Sequence, residues 1–297
     1  MIPKSALEKA LYSTCLFPLY MNLAAQTNNY IERFKFVICA TLGNFYINCG
    51  FLKPLNPILG ETCSGYYLDG TKMYAEQISH HPPVSYFLVY GPNGSYLQFG
   101  NYNYESNAGI NSLQLKNKGN RQVKFYDGQT IKYNYVKEVY SGSFFGSMKV
   151  ESKGSLSFQD SQNGIFANID IDQVKKKPSD YFQGEIKCAQ NGVSIKIYGT
   201  YMGYIEFDGD RYWDYRHIMP FKPIFNKNQL KILYLYMNVK LIIYTLQIGV
   251  HLNYQQNTYI YHHLSVCNYK YDDDFFYYSV KQAGSVLKQV LEIYFYL

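Results

Sequence analysis

Asn191-Gly192-Val193-Ser194-Ile195-Lys196-Ile197-Tyr198-Gly199-Thr200-Tyr201-Met202-Gly203-Tyr204-Ile205-Glu206-Phe207-Asp208-Gly209 holds the pattern that decides the fold. A segment rich in Ile, Tyr and Phe lies between Asn-Gly and Asp-Gly. Those dipeptides favour the φ > 0 geometry of tight hairpins. The same punctuation recurs upstream at Asp69-Gly70, Asn93-Gly94, Asp127-Gly128 and Asn163-Gly164. No long helical pattern separates these turns, so residues 62–217 are expected to form an antiparallel meander. A large antiparallel sheet escapes its edge problem by curling into a barrel. Many strands leave room inside for a cavity. The expected class is mainly β (α+β).

Helical spacing appears on either side of this zone. Leu7, Ala10 and Leu11 fit a short amphipathic helix, which Pro18 should end or bend. Ile31, Phe34, Val37, Ile38, Leu42 and Phe45 recur at steps of three and four. They predict a longer buried helix over about 29–49, with Asn29 as its cap. Residues 218–297 begin aromatic and strand-like. They end in a helical pattern, Ser279 to Glu292, carrying Val280, Ala283, Val286, Leu287, Val290 and Leu291. The chain reads as one domain over 1–297, with 1–25 a lid, 53–217 the barrel core and 218–297 a C-terminal part.

Composition narrows the function. Of 297 residues 47% are hydrophobic, enough to bury a large core, and 34 are Tyr. Tyr suits half-buried strands, its ring inside and its hydroxyl reaching water or backbone. The net charge of +6 favours anionic partners. Membrane surfaces and phosphorylated head groups fit it. Nucleic acid would fit on charge alone, but no basic run exceeds Lys175-Lys176-Lys177, so no nucleic-acid partner is expected. None of the six cysteines forms a CxxC pair, which argues against a zinc or redox motif. No secretory pattern opens the chain, and a reduced, cytosolic setting is expected. The apolar stretch Ile232 to Leu252 is interrupted by Asn238, Lys240, Gln247 and His251 and reads as buried strands rather than a membrane span.

Two segments carry chemistry. In Lys53-Pro54-Leu55-Asn56-Pro57-Ile58-Leu59-Gly60-Glu61, two prolines stiffen a loop that offers a cation, an amide and backbone N–H groups to an anion. The same spacing also suits a plain rigid turn. In Glu76-Gln77-Ile78-Ser79-His80-His81-Pro82-Pro83, two imidazoles stand on a stiff loop and could grip a phosphate. Neighbours on an extended chain point to opposite faces and no third ligand stands nearby, so no metal is expected. Catalysis by the His pair would need a nucleophile, and no nucleophile elbow, HExxH or Gly-rich phosphate loop is present. Lys288 and Glu292, four apart, share a helix face; alone they are an ordinary surface pair.

Together these segments resemble the oxysterol-binding-protein-related lipid-transfer family. Residues 76–83 look like its signature, with Ile78 where Val is common, and residues 53–61 look like its second hallmark. Gly199-Thr200-Tyr201 resembles a Gly-x-Trp strand, with Tyr201 in place of Trp. The resemblance covers about residues 5–216. It implies a large incomplete barrel around a lipid tunnel. One lipid, a sterol or phosphatidylserine, would be carried in exchange for phosphatidylinositol 4-phosphate, without catalysis and without a cofactor. It implies a head-group site of Lys53, Leu55, Asn56, Glu61, His80, His81, Lys288 and Glu292. The last two match the start of a Lys-x-x-x-Glu-x-x-x-Arg helix whose Arg position here is Tyr296. The lid would turn Leu7, Leu11, Leu16, Phe17 and Leu19 toward the cargo. The protein would work peripherally on cytoplasmic faces of the endoplasmic reticulum, Golgi or plasma membrane. A lipid sensor that binds without transporting is the chief alternative, with a lipid hydrolase using the His pair less favoured.

Overall fold

The computed structural model describes residues 4–12, 17–48, 53–217 and 222–226. Three helices come first: α1 (Ala6–Tyr12), α2 (Phe17–Gln26) and α3 (Tyr30–Asn48). Then follow β1 (Thr62–Tyr66), β2 (Lys72–His80), β3 (Pro83–Tyr90), β4 (Tyr96–Ala108), β5 (Ser112–Asn117), β6 (Arg121–Phe125), β7 (Thr130–Tyr133), β8 (Lys137–Ser141), β9 (Lys149–Asp160), β10 (Ile165–Ile171), β11 (Tyr181–Cys188), β12 (Ser194–Thr200), β13 (Tyr204–Phe207), β14 (Asp210–Asp214) and β15 (Ile224–Phe225). All are paired antiparallel in one 15-stranded sheet. All six Asn-Gly and Asp-Gly turns join consecutive strands, and each of their glycines has φ between 62° and 99°.

The sheet is not a simple meander. The first half of β4 pairs with β6, through Tyr96–Gly100, and its second half pairs with β5, through Tyr104–Ala108. β9 divides likewise between β8 and β7. Strands β4, β6, β7, β9, β8 and β5 therefore form a ring around a gap in the wall. Asparagines bridge that gap. Asn117 Oδ1 accepts from the Asn103 and Gly119 N–H groups, and Asn134 Oδ1 accepts from Ser157 N–H. A cavity of about 420 Å³ opens there, lined among others by Phe99, Asn101, Asn120, Arg121, Lys132 and Asn134. Among the described residues β14 and β15, at the two ends of the order, do not pair, so the barrel is incomplete.

Burial alternates along the strands, most regularly in β10, where Ile165, Ala167, Ile169 and Ile171 face in. Helix α3 is buried nearly all round: Phe34, Val37, Ile38, Cys39, Ala40 and Leu42 expose nothing. A helix apolar on every side must be enclosed. It crosses the inner face of the sheet, with Phe34 against Phe158, Phe36 against Tyr212 and Tyr46 against Trp213. Asn29 caps it, its Oδ1 accepting from the N–H groups of Ile31 (3.0 Å) and Glu32 (3.2 Å). Pro18 differs from expectation. It lies in the first turn of α2, a helix the sequence pattern did not reveal, where a missing N–H costs nothing. Through Tyr20, Met21 and Ala24, α2 is seated in the core beside α3. No helix of the described residues is long and apolar enough to cross a membrane. The stretch 232–252 and the pattern at 279–292 lie outside the described residues.

Candidate functional site

The N-terminal helix, the proline-bracketed loop and the His strand converge. Ser5 and Glu8 cap α1 reciprocally: Ser5 Oγ accepts from Leu7 N–H, and Glu8 Oε2 from Ser5 N–H. That Ser-x-x-Glu spacing was a readable signal that the apolar periodicity overshadowed. The helix is latched to the loop by two backbone bonds, Ala6 N–H to Leu55 O at 2.9 Å and Leu55 N–H to Lys4 O at 2.8 Å. The loop in turn joins β2, through Gly60 N–H to Gln77 O at 2.8 Å and Gln77 N–H to Glu61 O at 2.9 Å. Glu61 also shapes its own loop, its carboxylate accepting from Ile58 N–H at 3.0 Å. Three residues beyond Gln77, about 10 Å along a strand, stands His80.

Gln77 is buried and braces the strand end, donating to Ser79 O at 2.7 Å and accepting from Ser85 Oγ. A register shift between Gln77 and Ser79 leaves Ile78 47% exposed. The two imidazoles do not point to opposite faces. Their rings meet edge to face with centroids 4.6 Å apart. The alternation rule fails because β2 ends at His80 and His81 already belongs to the turn, where the His81–Pro82 bond is cis. Buried His80 Nδ1 has no hydrogen-bond partner. A buried polar atom without a partner is costly, and His80 Nδ1 shares that state with five other side-chain atoms among the described residues.

Lys53 and Asn56 are exposed on the loop, with Leu55 half-buried between them. Leu7 and Leu11 are buried and pack in the core; Leu19 is half-buried against it. Phe17 begins α2. Leu16, Lys288, Glu292 and Tyr296 lie outside the described residues. Among the described residues no group of three or more His, Cys, Asp or Glu is placed to hold a metal ion. Cys39, Cys63 and Cys188 are buried free thiols. Burial pushes the Cys63 thiol up to about 12, so it stays protonated and unreactive.

Sequence reasoning missed a layer of tyrosines beside the wall gap. Arg121 lies over the rings of Tyr133 (4.7 Å) and Tyr135 (4.3 Å) and donates to Asn134 O. Tyr102 stacks parallel to Tyr104 at 6.0 Å. Tyr102 is pushed up to about 12 by desolvation, and Tyr104 well above its usual value by desolvation and the Glu138 charge. Yet Tyr104 is 41% accessible. Tyr104 lies two residues from Tyr102 on β4, so it shares the face of the sheet on which Tyr102 packs against the core. Burial also raises Glu138, against the pull of a Tyr140 hydroxyl bond and of Lys9 in α1. No motif announces the arrangement, because its members come from four strands.

The model of the oxysterol-binding protein family matches residues 1–238. Oxysterol-binding protein 9 of Dictyostelium discoideum is 29% identical over 240 residues, 72% of this chain and 56% of that protein. Oxysterol-binding protein-related protein 8 of Homo sapiens is 30% identical over 206 residues, 66% of this chain and 22% of that protein. The chain thus spans about half the length of the first of these relatives and about a fifth of the second. The Osh1 ORD domain solved with ergosterol superposes with a TM-score of 0.66 at 19% identity, over 74% of this chain and 59% of that one. The Osh3 ORD of Saccharomyces cerevisiae, solved with PI(4)P, gives 0.63 at 19% identity, over 72% and 60%. The large, incomplete antiparallel barrel is the fold these structures share, and the chain belongs to the oxysterol-binding protein family.

Proposed function

We propose that this chain is a single lipid-binding domain that transfers lipid between membranes. It would hold one sterol or phosphatidylserine molecule in exchange for phosphatidylinositol 4-phosphate. The observation that carries the reading is the junction of α1, the 53–61 loop and β2, with a buried, unpartnered His80 nitrogen at its edge. Family membership points to a lipid, and the Osh1 and Osh3 domains were solved in complex with ergosterol and PI(4)P. In this scheme Lys53, His80 and His81 neutralise the phosphate through charge-assisted bonds; the family resemblance would add Lys288, which lies outside the described residues. Asn56 donates its amide, Leu55 packs under the head group, and Glu61 and Glu292 orient the cations. The tunnel buries the acyl chains or the sterol body in proportion to their area. Because both lipids need one space, binding one expels the other. Of the expected 1–25 lid, α1 is the part that covers the mouth, held to the 53–61 loop, while α2 stays seated in the core. No cofactor takes part, and brief docking on anionic cytoplasmic membrane faces completes the cycle.

The test is transfer of phosphatidylinositol 4-phosphate between liposomes by this chain and by a His80→Ala/His81→Ala variant. Transfer that the variant loses tenfold or more supports the reading. Tight binding with negligible transfer would replace it by a sensor that holds lipid without carrying it. Hydrolysis of a lipid ester would replace it by an enzyme.

A further inference from the structure

Two neighbouring hairpin ends form an apolar tip that none of the described residues covers. The β4–β5 turn presents Ile110, 86% exposed; the β8–β9 turn presents Phe144, Phe145 and Met148, at 75%, 73% and 61%. The two turns are laced together by one side chain. Asn111 Oδ1 accepts from the N–H groups of Phe144 (2.8 Å) and Phe145 (3.0 Å), and its Nδ2 donates to Phe145 O (2.9 Å). Gly142 N–H reaches Asn111 O at 3.1 Å, and Gly109 N–H reaches Ser112 O at 2.7 Å. Asn111 thereby fixes the backbone beneath Phe144 and Phe145 while their side chains stay exposed.

Lys116 is the cross-strand partner of Glu105 and Lys149 acts on Glu151, but the turns themselves hold no acid. Residues 106–118 and 139–150 contain no Asp or Glu, while Lys116 and Lys149 are exposed there. Lys118 is tied to Glu105.

We propose that this tip inserts into an anionic bilayer. Ile110, Phe144, Phe145 and Met148 enter the boundary between head groups and acyl chains, and Lys116 and Lys149 rest at phosphate level. A bilayer suits the tip better than a protein partner does. The surface is a convex point rather than a groove. The backbone N–H groups of Phe144 and Phe145 are satisfied within the tip, as a water-poor setting favours. The turns between the strands carry no acid. The inference goes beyond the lipid-transfer reading, needing only that the chain meets a membrane.

The test is flotation of the full chain with phosphatidylcholine vesicles, with and without phosphatidylserine. We expect partitioning that phosphatidylserine increases, that Phe144→Asp/Phe145→Asp lowers tenfold or more, and that Phe144→Leu/Phe145→Leu retains. Phe144→Trp gives a second readout that does not depend on a disruptive change. The one native tryptophan, Trp213, is 1% exposed and silent to aqueous quencher. Acrylamide should quench the new tryptophan in solution and lose that access on vesicles. Equal flotation of the Asp variant, or a residue-144 tryptophan still quenched on vesicles, would overturn the proposal. So would a chain that ignores vesicles and instead dimerises through the tip. Uptake of a fluorescent sterol from cyclodextrin needs no vesicle and separates the two readings. The Asp variant should keep that uptake. A chain that takes up no sterol yet floats through its tip would sink the lipid reading and leave the tip standing.

Discussion

Replacing Arg33 with alanine should loosen the attachment of the helices to the barrel. Its guanidinium, 3% exposed, donates to Ala24 O (2.9 Å), Thr27 O (2.7 Å), Gln129 Oε1 (2.7 Å) and Asp127 Oδ2 (2.5 Å). It also stacks 4.7 Å from the Phe125 ring. One side chain thus joins α2, α3 and the β6–β7 turn. Charge-assisted bonds contribute about 1.5–3 kcal/mol each but are far from additive. Asp127 is one-third exposed and would be partly rehydrated. Gln129 is buried and would keep its bond to Asp160, but its carbonyl oxygen would lose its partner, costing about 1–3 kcal/mol. The net loss should be about 3–4 kcal/mol. At about 2–4 °C per kcal/mol for a domain of this size, the melting temperature should fall by about 6–16 °C. Asp127→Ala should cost less, about 2 kcal/mol, because three acceptors remain on the arginine. The double variant should cost less than the sum of the two. Urea unfolding followed by Trp213 emission and far-ultraviolet circular dichroism measures all three. An Arg33→Ala loss under about 1 kcal/mol, with the sheet intact, would refute the network's role.

Other outcomes follow from single contacts. Asn29→Ala should cost about 1 kcal/mol by removing the α3 cap, read as a lower urea midpoint at unchanged slope. Glu138 has a folded pKa above its ordinary value, so the folded state holds its proton more tightly than the unfolded chain does. Stability should therefore fall as pH rises from the ordinary carboxylate range through the raised value. Glu138→Gln should flatten that slope in urea midpoints taken between about pH 4 and about pH 7, and an unchanged slope would place the titration elsewhere. Gly199→Ala should destabilise the β12–β13 pair, because a Cβ there would stand 2.0 Å from Tyr204 O; a melting temperature equal to the parent's would contradict that packing.

Much of the fold was legible because its signals are local. An Asn-Gly turn needs only its own two residues and the segments beside it, and all six formed hairpins. The span and cap of α3 were equally readable from spacing of three and four. Helix α2 was hidden because its apolar residues serve two neighbours rather than one stripe, and Pro18 looked like a stop instead of a start. The splitting of β4 and β9 around a wall gap was illegible, since a strand carries no mark of where it changes partner. Arg33 was illegible for the same kind of reason: its acceptors at 127 and 129 lie more than ninety residues away. Of the candidate site, the two segments stood out in the sequence, but their union did not. The bonds between Gly60, Glu61 and Gln77 are backbone bonds, which side-chain identity does not announce. The meeting of the two His rings depended on where β2 ends.

The central claim is one interior space shared by two lipids. Native mass spectrometry of the chain, after incubation with vesicles of phosphatidylinositol 4-phosphate and then with a sterol, measures it directly. The account predicts one phosphoinositide per chain, replaced by one sterol, with no species carrying both. A chain bearing both lipids at once, or neither, would contradict it.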